Sequence, residues 1–263
     1  MSELKALIFD VDGTLADTER NAHRPAFNKA FAAAGLDWRW SVALYGELLK
    51  VTGGKERILY YLQTHLPTFQ APGDLNEFIA ALHRAKTGFY TEMVAEGTVP
   101  LRPGVRRLLL EAQQAGLRLA IATTTSRENV EALLECSLET DAVSWFEVIA
   151  AGDVVAAKKP APDIFHYALA ALKLRPEECL AVEDSGNGLR AALGAGLETL
   201  VTVSDYTSSD TFAGAALVVD QLGEPDQPLT VISGDAGGAE LVDVSLLRRL
   251  HERGAARARI AAS

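Results

Sequence analysis

An α/β fold is predicted: a parallel sheet flanked by helices, with a helical unit inserted just after the first strand. Three features carry this. The run Leu7–Ile8–Phe9 ends abruptly in Asp10–Val11–Asp12–Gly13–Thr14, the pattern of a strand buried on both faces that stops at a turn. From Pro100 onward, strand-like apolar runs alternate with helical ones, as βα repetition requires. Between these regions, residues 17–97 read helical and lack strong strand runs.

Within the insert, Phe27, Ala30, Phe31 and Ala34 recur at helical spacing, and Gly35 supplies a stop. Val51–Thr52–Gly53–Gly54 is a flexible turn ahead of a helix over Lys55–Thr64, and Pro67–Asp74 connects it to a third helix over Leu75–Ala95. A helix over Gly104–Ala115 begins after Pro103 and stops at Gly116. The strand Leu117–Ala122 then ends in Thr123–Thr124–Thr125–Ser126. After it come helix Arg127–Glu135, strand Phe146–Ala150 and helix Pro162–Leu172. Strand Cys179–Val182 ends in Glu183–Asp184–Ser185, helix Gly186–Ala195 follows, and strands Thr199–Val203 and Ala216–Val219 complete the block. The expected organisation is a discontinuous core of residues 1–16 and 98–222, a helical unit of 17–97, and a C-terminal extension of 223–263. In the extension, Gly223–Pro228 reads as a linker, Gly234–Gly238 as a loop, Val244–Arg253 as an amphipathic helix and Ala255–Ser263 as a fraying end.

The 263 residues are 48% hydrophobic and carry a formal charge of −10. That balance builds a sizeable core and argues against nucleic acid as a partner, because a phosphate backbone needs a basic face. An acidic chain that handles phosphorylated molecules needs a metal cation to offset its own carboxylates. Cys136 and Cys179 form no CxxC pair and no disulfide framework, which favours a reducing cytosol. Ala6–Phe9 is too short for a signal-peptide core and stops at an acid. No segment approaches the roughly 20 apolar residues of a membrane span. A cytoplasmic protein, monomeric or weakly homo-oligomeric, is expected.

Four strand regions end in polar residues of complementary kind: Asp10 and Asp12, Thr123, Lys159 in Lys158–Lys159–Pro160, and Glu183 with Asp184. In a parallel sheet these ends share the edge where ligands bind. Aspartates gathered there repel one another unless a hard divalent cation sits between them, and Mg²⁺ suits carboxylate and phosphate oxygens. Thr123 and Lys159 can hold phosphate oxygens, and an aspartate at such a metal can act as a nucleophile toward phosphorus. Each residue also has a plainer role: an Asx turn at Asp10–Thr14, a helix cap at Thr123, first-turn acids at Glu183 and Asp184. Only the shared site accounts for all four together.

Asp10–Val11–Asp12–Gly13–Thr14, Thr123, Lys159 and Glu183–Asp184 occur in the order of the four motifs of the haloacid dehalogenase (HAD) superfamily, which the chain resembles from about Leu4 to Asp220. The resemblance implies a Rossmann-like core with the insert as a helical cap. It also implies Asp10 as nucleophile and Asp12 as the acid that protonates the leaving alcohol and then the base that activates water. Mg²⁺ would be held by Asp10, the backbone carbonyl of Asp12 and Asp184, with Glu183 on a metal-bound water; Lys159 would neutralise Asp10 and the phosphoryl oxygens. Within the superfamily, Asp37–Trp38–Arg39–Trp40, Thr52–Ile58, His83–Thr87, Leu101–Gly104, Ala122–Ser126 and Ile149–Asp153 resemble the CbbY-type sugar phosphatases. These remove xylulose 1,5-bisphosphate, an inhibitor of Rubisco. Glu19 and His23 match that pattern, while Asp17 departs from the glutamate of some members.

A small phosphorylated sugar is therefore the expected partner, met by Glu19, His23, Gly54, Lys55, Arg57, Lys86, Thr124, Thr125 and Asn187. A bisphosphate needs a second anion site, and Lys55, Arg57, His83, Lys86 and Arg102 are the cations available for it. Two rival functions are a β-phosphoglucomutase-type isomerase, which passes the phosphoryl group back to sugar, and a non-catalytic domain that binds a phosphometabolite.

Overall fold

A computed structural model describes residues 2–97 and 99–261. Strands β1 (Ala6–Phe9), β2 (Arg118–Thr123), β3 (Phe146–Ala151), β4 (Cys179–Glu183), β5 (Glu198–Thr202), β6 (Leu217–Val219) and β7 (Val231–Gly234) form one sheet in the order β3-β2-β1-β4-β5-β6-β7. The first six are parallel, and β7 runs antiparallel to β6. The first strand in the chain is thus the middle strand of the sheet. Phe9 pairs with Ile121 of β2 on one side and Val182 of β4 on the other, so Asp10 emerges between the ends of two neighbouring strands.

Successive residues of β1 feed opposite faces, as a two-residue period dictates. Leu7 and Phe9 pack with Leu108 and Leu109 of helix α5 (Val105–Gln114), Leu133 and Leu134 of α6 (Arg127–Ser137), and Leu246, Leu247 and Leu250 of α9 (Val244–Ala261). Ala6 and Ile8 pack on the other face with Ile164 and Phe165 of α7 (Asp163–Leu172) and Ala191 and Ala192 of α8 (Gly186–Gly194). This is the expected α/β architecture. Among the described residues, no helix is long and apolar enough to cross a membrane.

Residues between β1 and α5 form helices α1 (Arg24–Ala33), α2 (Val42–Leu48), α3 (Gly54–His65) and α4 (Leu75–Ala95). Their own core is aromatic: Phe27 and Phe31 lie 4.7 and 4.9 Å from Trp40, centroid to centroid, contacts worth about 0.5–1.5 kcal/mol each beyond buried area. Helix α2 has no counterpart in the sequence reading. Seven residues are too few to display a helical period; the signal is local, with Ser41 Oγ accepting from Leu44 N at 3.2 Å.

The tail differs most from expectation. Its Val231–Gly234 segment extends the sheet as β7, which takes in the first residue of the loop expected over Gly234–Gly238. All four β7 residues are exposed, so no buried apolar run marks the strand. Gly223–Pro228 is no slack linker, because Glu224 Oε1 accepts from Gly104 N at 2.9 Å. Helix α9 runs to Ala261, through residues expected to fray; Ala262 and Ser263 lie outside the described residues.

Candidate active site

The carboxyl ends of β1, β2 and β4 meet around Lys159, which is buried. Its ammonium donates to Asp10 Oδ1 (2.7 Å), Ala122 O (2.8 Å) and Glu183 Oε1 (2.5 Å), one acceptor for each of its three protons. Burial disfavours this cation, but the two carboxylates outweigh burial and hold its pKa above the ordinary lysine value. Asp10, Glu183 and Asp184 each bring an oxygen within 4.8 Å of the others. Gly13 makes room for Asp184: its φ is +88°, and a Cβ there would stand 2.1 Å from Asp184 Oδ2. Ser204 Oγ donates to that same oxygen at 2.9 Å.

One ammonium among three buried carboxylates leaves two negative charges uncompensated. Burial, then the charges of Glu183 and Asp12, push the Asp10 carboxyl up to about 8 despite Lys159. Burial and the charges of Asp10 and Glu183 drive Asp184 well above the carboxylate range. The excess charge and the all-oxygen donor set fit a hard divalent cation.

Asp12 faces the other way. Its Oδ1 accepts from Thr18 Oγ1 (2.6 Å) and pairs with His23 Nε2 (2.7 Å). Burial alone would raise its pKa, but His23 and Thr18 outweigh burial and hold it down to about 2. The Asp12 side chain therefore stands apart from the three-acid cluster. His23 stacks on Tyr90 at 4.4 Å, and Lys86 donates to its Nδ1, which leaves Nε2 to carry the proton toward Asp12.

Lys86 itself is buried, and burial, joined by the charge of Arg57, lowers its pKa from 10.5 to about 8 against the pull of Asp12 and Glu19. Between those values the unfolded chain holds a proton that the folded chain does not, so wild-type stability rises with pH across that window. Lys86→Met is therefore expected to unfold at higher urea than wild type near pH 7. That advantage shrinks toward pH 10, while turnover falls by about tenfold or more as His23 loses its orienting partner. Urea melts at both pH values check this; an advantage that grows with pH contradicts it.

A cavity of about 500 Å³ opens above the sheet edge. Asp10, Asp12, Lys159, Asp184, Glu19, Arg57, Thr124 and Asn187 line it, and Lys50 and Arg190 stand on its wall. Glu19 accepts from Tyr45 Oη (2.5 Å), which in turn accepts from Arg57 Nη1 (2.8 Å). Asn187 Nδ2 reaches across to Thr52 Oγ1 at 3.2 Å. Gly54 and Lys55 line a separate cavity of about 250 Å³ with Thr124 and Ser126, and Lys55 pairs there with Asp153 at 2.5 Å. His23, Lys86 and Thr125 border a third, small recess. Thr123 is buried behind the cavity, its Oγ1 accepting from Thr125 N at 3.3 Å.

The candidate second-anion cations are mostly spoken for. Arg102 is not turned to the cavity: it donates to the backbone oxygens of Gly13, Thr202, Val203 and Asp220. Burial, then Lys86 and Lys55, lower the His83 pKa to about 4, so it is neutral near pH 7. Sequence reasoning missed Ser204, Tyr45, Lys50 and Arg190. Ser204 alone had a usable signal, since it stands just past a strand on the ligand-binding edge; Tyr45 lies on the unrecognised α2.

Residues 4–196 match the family model of haloacid dehalogenase-like hydrolases. The plasmid CbbY protein of Cupriavidus necator is 51% identical over 226 residues, spanning 86% of this chain and 89% of that one. The crystal structure of CbbY from Rhodobacter sphaeroides, an Asp-to-Asn mutant in complex with xylulose 1,5-bisphosphate, superposes with a TM-score of 0.78 at 51% identity, covering 83% of this chain and 94% of that one. A β-phosphoglucomutase from Clostridium difficile superposes over 96% of this chain and 99% of its own with a TM-score of 0.73, at 19% identity, a likeness of fold alone. The sheet edge that gathers Asp10, Lys159, Glu183 and Asp184 is thus built on a shared scaffold, and the chain belongs to the haloacid dehalogenase-like hydrolases, on their CbbY branch, as a phosphatase of that superfamily.

Proposed function

We propose that this phosphatase hydrolyses a small sugar phosphate, xylulose 1,5-bisphosphate, with Mg²⁺ and through an aspartyl-phosphate on Asp10. Residues 17–97 act as a cap over a catalytic core of 1–16 and 98–222. The observation that carries the reading is the opposite setting of two aspartates two residues apart. Asp10 is joined to Lys159 in the acidic cluster, whereas Asp12 is held by His23 and Thr18 on the cap side. An Asp10 oxygen forms the bond to phosphorus as the sugar–oxygen bond to phosphorus breaks, and Asp12 gives its proton to the departing sugar oxygen. The dianionic substrate beside Asp12 favours that protonated form. Asp12, now a carboxylate, takes a proton from the water that attacks phosphorus, and the Asp10–phosphorus bond breaks. Asp10, Asp184 and the backbone carbonyl of Asp12 would hold Mg²⁺, which supplies positive charge at the phosphoryl oxygens. Lys159 adds its charge beside Asp10.

The bisphosphate choice rests on the kinship with CbbY proteins and on the cations of the main cavity, where Arg57, Lys50 and Arg190 can meet a second phosphate. A cytoplasmic, monomeric or weakly associating enzyme belongs to the same reading, in keeping with free thiols at Cys136 and Cys179.

Phosphate release across a panel tests it. With Mg²⁺, kcat/KM for xylulose 1,5-bisphosphate is expected to exceed that for β-glucose 1-phosphate by about a hundredfold or more. Release should stop in EDTA and return with Mg²⁺. Glucose 6-phosphate formed without free phosphate would instead indicate a mutase, and turnover in chelator would sink the metal role.

A further inference from the structure

We propose that Ser204 is a positioning residue for Asp184, and that its turn links the seating of the cap to that carboxylate. The inference rests on the metal reading of the acidic cluster. Ser204 is buried, and Thr207 Oγ1 lies 2.9 Å from Ser204 N and 3.0 Å from Ser204 Oγ. Thr207 Oγ1 accepts from the amide, and its own proton has two acceptors in reach, Ser204 Oγ at 3.0 Å and, more distant, Ser204 O at 3.4 Å. Ser204 Oγ in turn spends its single proton on Asp184 Oδ2. The chain of hydrogen bonds has one direction, and it ends on the oxygen that Gly13 leaves room for. The bond to Oδ2 fixes the rotation of the Asp184 carboxylate toward Asp10 and Glu183. From below, Arg102 fixes both walls, donating to Val203 O and to Gly13 O.

The next two residues of the turn meet the cap. Asp205 pairs with Arg20, in the same short segment as His23, the partner of Asp12. That pair is exposed on both sides, and an exposed pair of long side chains holds little. The firmer contact is Tyr206, whose ring lies 5.8 Å from that of Tyr45 and against Gly46, where a Cβ would stand 3.2 Å from the Tyr206 ring. Three consecutive residues thus join the acidic cluster to α2. A coupling of this kind is reciprocal: a seated cap steadies Asp184, and a cation on Asp184 steadies the cap.

Mn²⁺ titration followed by electron paramagnetic resonance, on the full substrate-free chain, tests the first half. Ser204→Ala is expected to weaken Mn²⁺ binding by about 10–100-fold, the usual cost of removing an outer partner of a metal-binding carboxylate. Ser204→Thr keeps the hydroxyl and should bind within about threefold of wild type. If Ser204→Ala fails to fold, Thr207→Val, which removes the hydroxyl that orients Ser204, carries the same expectation. Amide hydrogen exchange tests the second half: Mg²⁺ should slow exchange in Val42–Leu48 of the wild type and not of Ser204→Ala. Equal Mn²⁺ affinity in wild type and Ser204→Ala overturns the positioning role. Exchange in α2 that ignores Mg²⁺ in the wild type overturns the link. No Mn²⁺ binding by the wild type overturns both, together with the metal reading itself.

Discussion

Asp10→Asn is expected to lower phosphate release by at least about a thousandfold, because a carboxamide cannot serve as the attacking oxygen and no step downstream can compensate. The side chain keeps its volume, and its carbonyl oxygen can still accept from Lys159, which lies 2.7 Å from Oδ1 in the parent. Burial, then the charges of Glu183 and Asp12, push the Asp10 carboxyl up to about 8, so the substitution replaces a group that is costly to ionise in this setting with one that carries no charge. In the metal-free protein, thermal stability should therefore equal or exceed that of the wild type. Paired measurement of phosphate release and a thermal melt separates the two effects. A variant that keeps release within tenfold of wild type removes Asp10 as the nucleophile, and one that melts well below wild type contradicts the charge argument.

Lys159→Met should act on both folding and chemistry. Lys159 is the shared partner of Asp10 and Glu183, all three being buried. Taking away one member of a buried ion pair strands its partners, a loss of about 3–5 kcal/mol. Turnover should fall by about 10²–10³, the usual scale for a charge aimed at a developing oxyanion. Methionine fills most of the lysine volume, so a cavity is not the cause. Adding Glu183→Gln to Lys159→Met should recover a large part of the lost stability and little of the turnover, because the two sites share one network. Urea midpoints of the single and double variants decide the matter; additive losses would show that Glu183 and Lys159 are not energetically coupled.

Asp10 was legible in the sequence for a physical reason that does not reach Lys159, which stands in the loop beyond β3, well past Ala151, and was placed by its order in the chain. An apolar run that halts in a polar residue marks a buried strand reaching the surface of the core, and parallel pairing puts all such halts on one edge. Asp10, Thr123, Glu183 and Asp184 follow that logic, as does the alternation that gave the sheet. Partner choice was not legible. Arg102 and Arg57 are both arginines in polar surroundings, yet one is consumed by backbone carbonyls and the other lines the cavity beside Tyr45 and Glu19. Nothing in composition or spacing separates the two, because the difference is made by segments a hundred residues distant. Lys86 is similar: its helix position suggested a solvated face as readily as a ligand, and only packing against Phe27 and Tyr90 makes it a buried partner of His23. Strand β7 was hidden because it is short and its two apolar residues, Val231 and Ile232, are exposed, so its pairing with β6 leaves no alternation of buried and solvent-facing positions.

The central place of β1 bears on how the enzyme is made. The ribosome delivers this strand first, but its two hydrogen-bonded neighbours, β2 and β4, come much later, on either side. A nascent chain therefore carries Asp10 and Asp12 with no strand to hold them until β2 follows near its midpoint, and without Lys159 beside them or Asp184 opposite for longer still. Cellular phosphate esters meet an inert polypeptide until Glu183 and Asp184 have emerged. Hydrolytic capacity then arrives in one late step, with the closing of the sheet around its oldest strand.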